Sequence, residues 1–269
     1  MPISCAHHDA LWRGSPRDRL TAARSLSKKG LQDVTRMLLE GCPTDSWPYG
    51  CGTSINPWVI FLGPSPGTSP ASGDANYILR VGDPPTAGHP HSTMLYRDSK
   101  GFFDRLRVLT IALLRAECAD DLSDSDRLAL AGMMNLDSGA SGEARNVAVK
   151  LEFGKWVLEL SFRRLRPKYV VGVGLGGFLR RPDNAWLLDA IGGFVGDSFH
   201  PDRPTRTVPF KGYREKQYAF RLWEAVGHDG EPVRFILLPQ HPSRAPMTNT
   251  AVWGTAVQEF LNITALMQS

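Results

Sequence analysis

The chain has 269 residues, 42% of them hydrophobic and 22% charged, with a formal net charge of +4. That length can bury a full core as one large α/β domain with an extension, or as two small domains. The composition is that of a soluble globular protein, no apolar run reaches membrane-spanning length, and the small basic excess permits an anionic partner without demanding one. The opening MPISCAHHDALWRGS lacks the apolar core of a signal peptide, so a cytoplasmic protein is expected. Cys5, Cys42, Cys51 and Cys118 form no C-x-x-C pair. Free thiols are expected, and the irregular spacing argues against a metal or iron–sulfur site.

In chain order, Ser15-Pro16 signals a helix start, with Leu20, Ala23 and Leu26 at helical spacing. Lys28-Lys29-Gly30 interrupts it, Leu31, Val34 and Leu38 continue on one stripe, and Gly41 with Pro43 closes the segment. Residues 1–50 therefore read as an N-terminal helical extension and 51–269 as the main α/β domain. Trp58–Leu62 is a continuous apolar run, fit for a buried parallel strand, that enters Gly63-Pro64-Ser65-Pro66-Gly67. A glycine directly after a buried strand lets the backbone turn and a ligand come close. Thr68–Lys100 reads as a long loop; it holds Asp74, Asp83 and the pair His89 and His91, read as surface rather than as metal ligands.

Gly101–Arg115 predicts a helix, with Phe102, Leu106, Leu109 and Leu113 at spacings of three and four. Asp120–Asp126 reads as an acidic turn, and Leu128–Leu136 as a short apolar segment that ends at Asn135. An Asn at a strand end can present a donor and an acceptor together, or tie down a turn. Val149–Leu165 predicts a second long helix, ended by Pro167, and Tyr169–Gly174 the next strand. Gly172, Gly174 and Gly177 match G-x-G-x-x-G, but Arg180-Arg181-Pro182 cuts the helix that should follow, and Asp197 is only roughly spaced to hold a ribose.

Gly192–Arg221 is glycine-rich, then basic and aromatic, with Lys211, Tyr213, Arg214 and Tyr218 among its residues. Cations interleaved with aromatics suit a phosphate backbone with exposed bases; an ordinary mixed surface is the alternative. Phe235–Leu238 is another short apolar strand, closed by Pro239. It leads into a proline-stiffened loop carrying His241, Ser243, Arg244 and Met247, with a final helix expected over Thr250–Leu266.

Three strands thus end in polar loops with helices between them, which predicts a parallel sheet with helices on both faces and the loops meeting at one edge. With Gly63–Gly67 as a G-x-x-P-G turn, His241-Pro242-Ser243 as an H-P-S motif, Asn135 at a strand end and Arg166–Gly172 as a helix-to-strand junction, the chain resembles the uracil-DNA glycosylase superfamily from about Trp58 to Leu261. The resemblance implies a three-layer α/β/α fold around a mostly parallel four-stranded sheet, and no cofactor or metal. It implies a monomer that flips a non-canonical or modified pyrimidine out of DNA, duplex or single-stranded, and hydrolyses its N-glycosidic bond.

In that reading His241 is the donor to the departing base, and Ser65 with the Gly63–Gly67 backbone places the water. Asn135 reads the base edge within a pocket formed by Gly63, Pro64 and Gly67, and Phe102 is among the aromatics for stacking on the base. Ser243 and Arg244 hold flanking phosphates, Met247 or Arg244 fills the gap left by the base, and Lys211 and Arg214 are further DNA contacts. Many members carry Asp or Asn where this chain has Ser65, a poor base, so Asp74 or Asp83 is the alternative for positioning water. Substrates left open are uracil, as in repair, and modified cytosine of phage DNA, as in antiviral defence. Two rivals are a nucleotide-binding protein using Gly172–Gly177 and a catalytically dead DNA-binding module.

Overall fold

The computed structural model describes residues 5–43, 54–64, 102–117, 122–136, 147–196, 199–211, 217–239 and 257. The elements in order are α1 (Cys5–Trp12), α2 (Pro16–Arg24), α3 (Lys28–Leu38), β1 (Val59–Gly63), α4 (Phe102–Glu117), α5 (Asp124–Leu128) and β2 (Ala131–Asn135). They continue with α6 (Val147–Glu159), β3 (Tyr169–Gly172), α7 (Leu175–Phe178), α8 (Ala185–Val195), β4 (Arg206–Lys211), β5 (Gln217–Val226) and β6 (Pro232–Leu237).

The fold is α/β, built on one mixed sheet of order β2-β1-β3-β6-β5-β4. The pairs β1–β2, β1–β3 and β3–β6 are parallel; β5–β6 and β4–β5 are antiparallel. The expected four-stranded sheet is thus corrected to six strands. The additional pair comes from the segment expected to be a basic and aromatic surface. Tyr218, Phe220 and Leu222 alternate onto one face while Trp223 and Ala225 face the other, so β5 is buried on both sides. Pro209 is compatible with β4 because that strand is at the sheet's edge, where a missing N–H costs no ladder bond.

Strand alternation produces two cores. Val59, Phe61, Val171 and Ile236 pack on one face against Leu106, Leu109 and Leu113 of α4. Ile60, Leu62, Val170 and Phe235 pack on the other against Val157 and Leu158 of α6, and against Leu11, Ala23 and Val34 of the N-terminal helices. Each large apolar side chain so enclosed contributes about 1.5–3 kcal/mol. The β1-to-β2 connection crosses the first face and the β2-to-β3 connection the second. The direction of travel also reverses, so both crossovers keep one hand.

Local signals explain the helix ends. Ser15 and Asp18 form a reciprocal capping box at the start of α2. Ser27 caps α3, so Lys28-Lys29-Gly30 opens that helix rather than interrupting a longer one. The stretch expected as an acidic turn holds α5, capped by Ser123 with Asp124 and Asp126 in its first turn, where carboxylates favour the helix dipole. α6 runs on into a π-helical turn, Leu160–Arg164. The expected Thr250–Leu266 helix lies outside the described residues except for Val257, which is helical and buried. Cys42 is half-buried. Among the described residues no helix is long and apolar enough to cross a membrane.

The chain ends entering β1 and β3 are tied to the N-terminal helices by one buried cation. Arg19 Nη2 donates to the carbonyls of Trp12 (2.6 Å) and Arg166 (2.8 Å), Nη1 donates to that of Pro57 (3.4 Å), and the guanidinium lies 4.7 Å above the Trp58 ring. Burial lowers the Arg19 pKa to about 10. Asn56 Nδ2 donates to Leu11 O (3.0 Å) and Arg19 O (2.9 Å), and Ser54 Oγ donates to its Oδ1 (3.1 Å).

Candidate functional site

The four parallel strands end at one level. Gly63 is in register with Asn135, and Leu62, Gly172 and Leu237 align across β1, β3 and β6. The ladder runs one step further: Leu136 N–H donates to Gly63 O (3.0 Å), Val173 N–H to Leu62 O (2.8 Å) and Leu238 N–H to Gly172 O (3.1 Å). In an open parallel sheet this carboxyl edge is where ligands bind.

Asn135 is the polar side chain of that edge. It is 5% exposed, and its Oδ1 is buried with no hydrogen-bond partner among the described residues. A buried amide oxygen left unpaired costs about 1–3 kcal/mol, a cost that a partner beyond the described residues would offset. A Cβ built on Gly63 would lie 2.7 Å from that oxygen. Glycine here leaves the space in which the Asn135 carboxamide sits, the close approach for which a glycine after a strand is suited. Pro64 follows, half-buried.

The N-terminus of α4 belongs to the same edge. Its last residue, Glu117, accepts from Tyr169 Oη (2.6 Å) at the start of β3, so the helix runs antiparallel to the strands and Phe102, its first residue, is at their carboxyl end. Arg105, one turn in, is 3% exposed, and burial lowers its pKa from the usual arginine value. Sequence reasoning passed over it, although 105, 109 and 113 are spaced by four and put a charge in line with buried leucines.

A cleft of about 610 Å³ opens beside these strand ends. Pro64, the turn after β3 with Gly174, Gly176 and Gly177, and Leu238-Pro239 after β6 line it, with Arg180, Arg181 and Arg221 among its walls. Gly174 has φ +74°, which the turn into α7 requires, and a Cβ on Gly172 would press on Leu237 Cδ1 at 2.9 Å. As expected, the helix after these glycines is short: α7 ends at Phe178. Arg180 and Arg221 both reach Asp202 Oδ1, at 2.5 and 3.3 Å. The Arg180 hydrogen bond holds the Asp202 carboxyl below its usual range.

Of the residues expected to form the site, Asn135, Gly63 and Pro64 are brought together. Phe102 opens α4 at the same edge, and Lys211 ends β4 at the sheet's far margin. Ser65, Gly67, Asp74, Asp83, Arg214, His241, Ser243, Arg244 and Met247 lie outside the described residues, as does Asp197. Among the described residues no three His, Cys, Asp or Glu side chains group as metal ligands. No family model, curated protein or solved structure matches this chain.

Proposed function

We propose that the chain is a DNA N-glycosylase that takes a non-canonical or modified pyrimidine out of the stack and hydrolyses its bond to deoxyribose. The observation that carries the reading is Asn135: an enclosed carboxamide with an unpaired acceptor, set against a side-chain-free glycine at the carboxyl edge of a parallel sheet. A pyrimidine presents donors and acceptors on its polar edge, and a carboxamide can answer both.

In the proposed reaction the C1′–N bond breaks as water adds to C1′. Positive charge develops on the sugar and negative charge on the leaving base, which ends protonated. A donor fixed where that negative charge forms lowers the barrier by about 3–4 kcal/mol. His241 is assigned this role from the H-P-S resemblance, and Ser65 the placing of water. In the sequence Ser65 follows Pro64 directly and His241 is two residues past Pro239, and Pro64 and Pro239 both line the cleft.

The base is proposed to be uracil, in repair, or a modified cytosine of phage DNA, in defence. An abasic-site assay on uracil-containing DNA and on phage DNA with modified cytosine decides between them. Abasic product from either, lost in His241→Ala and in Asn135→Ala, is the expected result. No product from either substrate, or full activity in both variants, would overturn the proposal.

A further inference from the structure

The cleft beside the strand ends contains charge that the excision chemistry does not use. Arg180, Arg181 and Arg221 line it. Arg180 and Arg221 already converge on a single carboxylate oxygen of Asp202. Arg181 is exposed, and among the described residues no ion pair holds it. Among the described residues, three guanidiniums against one carboxylate leave about two positive charges uncompensated at the mouth of a concave site. Guanidiniums grouped around one oxyanion are the geometry that recognises phosphate.

The opposite wall is backbone. A Cβ on Gly177 would meet nothing within 4 Å, and one on Gly176 only Leu237 Cδ2 at 3.8 Å. Neither residue has a positive φ. Packing and backbone conformation therefore make no demand for glycine at either position, and the absent side chains leave the cleft open. At about 610 Å³ the space is that of a small-ligand site. α7, with four residues, is too short to add a helix dipole of consequence, so the arginines carry the attraction.

We infer that this cleft binds the phosphate of a nucleoside phosphate, facing Gly176 and Gly177 and held by Arg180, Arg181 and Arg221. Asn135 is not among the residues that line the cleft, and the inference does not rest on the excision reading. A free nucleotide and the backbone of a DNA strand share this chemistry, and the test distinguishes them.

The full chain is titrated calorimetrically with a 5′-mononucleotide and, separately, with a short single-stranded DNA lacking a terminal phosphate. Binding of the mononucleotide identifies a free nucleotide as the source; binding of the oligonucleotide alone identifies a strand. In either case Arg181→Ala and Gly177→Leu each weaken binding by about tenfold or more, with melting temperatures unchanged. Arg36→Ala, which removes the same charge from an 80%-exposed side chain on α3, leaves affinity within about twofold. The readout is binding without excision, so a failure of the excision reading leaves this result standing. Binding of neither probe overturns the inference. So does Arg181→Ala weakening binding no more than Arg36→Ala while Gly177→Leu binds like the unmodified chain.

Discussion

The two edges of the sheet treat polar groups in opposite ways. At the amino edge, Arg19 donates to three carbonyls, Asn56 donates to two and accepts from Ser54, and Tyr169 Oη bridges Glu117 and Arg234 at 2.6 and 2.7 Å. At the carboxyl edge, among the described residues, Asn135 keeps an unpaired buried oxygen and the cleft has more guanidinium than carboxylate. Arg19 Nε and Trp58 Nε1 are also buried without a hydrogen-bond partner among the described residues, but the bonds made around them join helices to strands, whereas Asn135 is at the edge where ligands bind. The same sheet is thus fastened at one end and chemically open at the other.

The largest effect that would test this contrast is at Arg19. Arg19→Ala leaves the Trp12 and Arg166 carbonyls without their donor and uncovers the Trp58 ring, so it should cost about 3 kcal/mol of stability. Denaturant unfolding measures it, and a cost below about 1 kcal/mol would break the comparison. Asn135→Ala should behave in the opposite sense. Excision should fall about 100-fold while stability changes by about 1 kcal/mol or less, because losing an unpaired oxygen offsets the small cavity.

Gly63→Ala asks whether the position of that carboxamide matters. Its methyl would sit 2.7 Å from Oδ1, so the amide must shift by a few tenths of an ångström or more. Excision should drop at least about tenfold with a loss of about 1–3 kcal/mol in stability. Activity equal to the unmodified chain would remove Asn135 from the proposed site.

Tyr169 sharpens the comparison from the fastened edge. Burial first, then the Glu117 carboxylate, raises its phenol pKa. The folded state therefore holds the phenolic proton after the unfolded chain has released it. The stability this confers is fully present below about pH 10, the unfolded value, and is lost as pH rises above it. Tyr169→Phe should cost about 1 kcal/mol at neutral pH and flatten the alkaline loss seen in urea midpoints. The smallest expected change is Ser15→Ala, which removes the α2 capping box for about 1 kcal/mol or less, read as a melting shift with excision untouched.

The parts legible in the chain were those in which one neighbour decides the outcome. Trp58–Leu62, Tyr169–Gly174 and Phe235–Leu238 read as apolar runs and fall on β1, β3 and β6, because strands covered on both faces have little polar side to show. Gly63 and Asn135 were both singled out, each for standing where an apolar run meets a loop. β5 was not recognised, because Arg221 and Glu224 interrupt a strand that still buries Phe220, Leu222 and Trp223. Its alternation from Tyr218 to Leu222 was the available signal, and the surrounding cations drew attention to charge instead. Arg105 was missed for the converse reason: a cation in a helix reads as surface, yet Arg105 is 3% exposed.

Composition, apolar runs and capping residues by themselves determined an α/β chain, its parallel strands and several of its helix starts, since these depend on contacts within a few residues. The pairing of Gly63 with Asn135, the antiparallel extension by β4 and β5, and the convergence of Arg180 and Arg221 on Asp202 were decided only by the tertiary structure. Each joins residues distant in sequence, and the sheet's register, rather than any local propensity, sets which side chains meet.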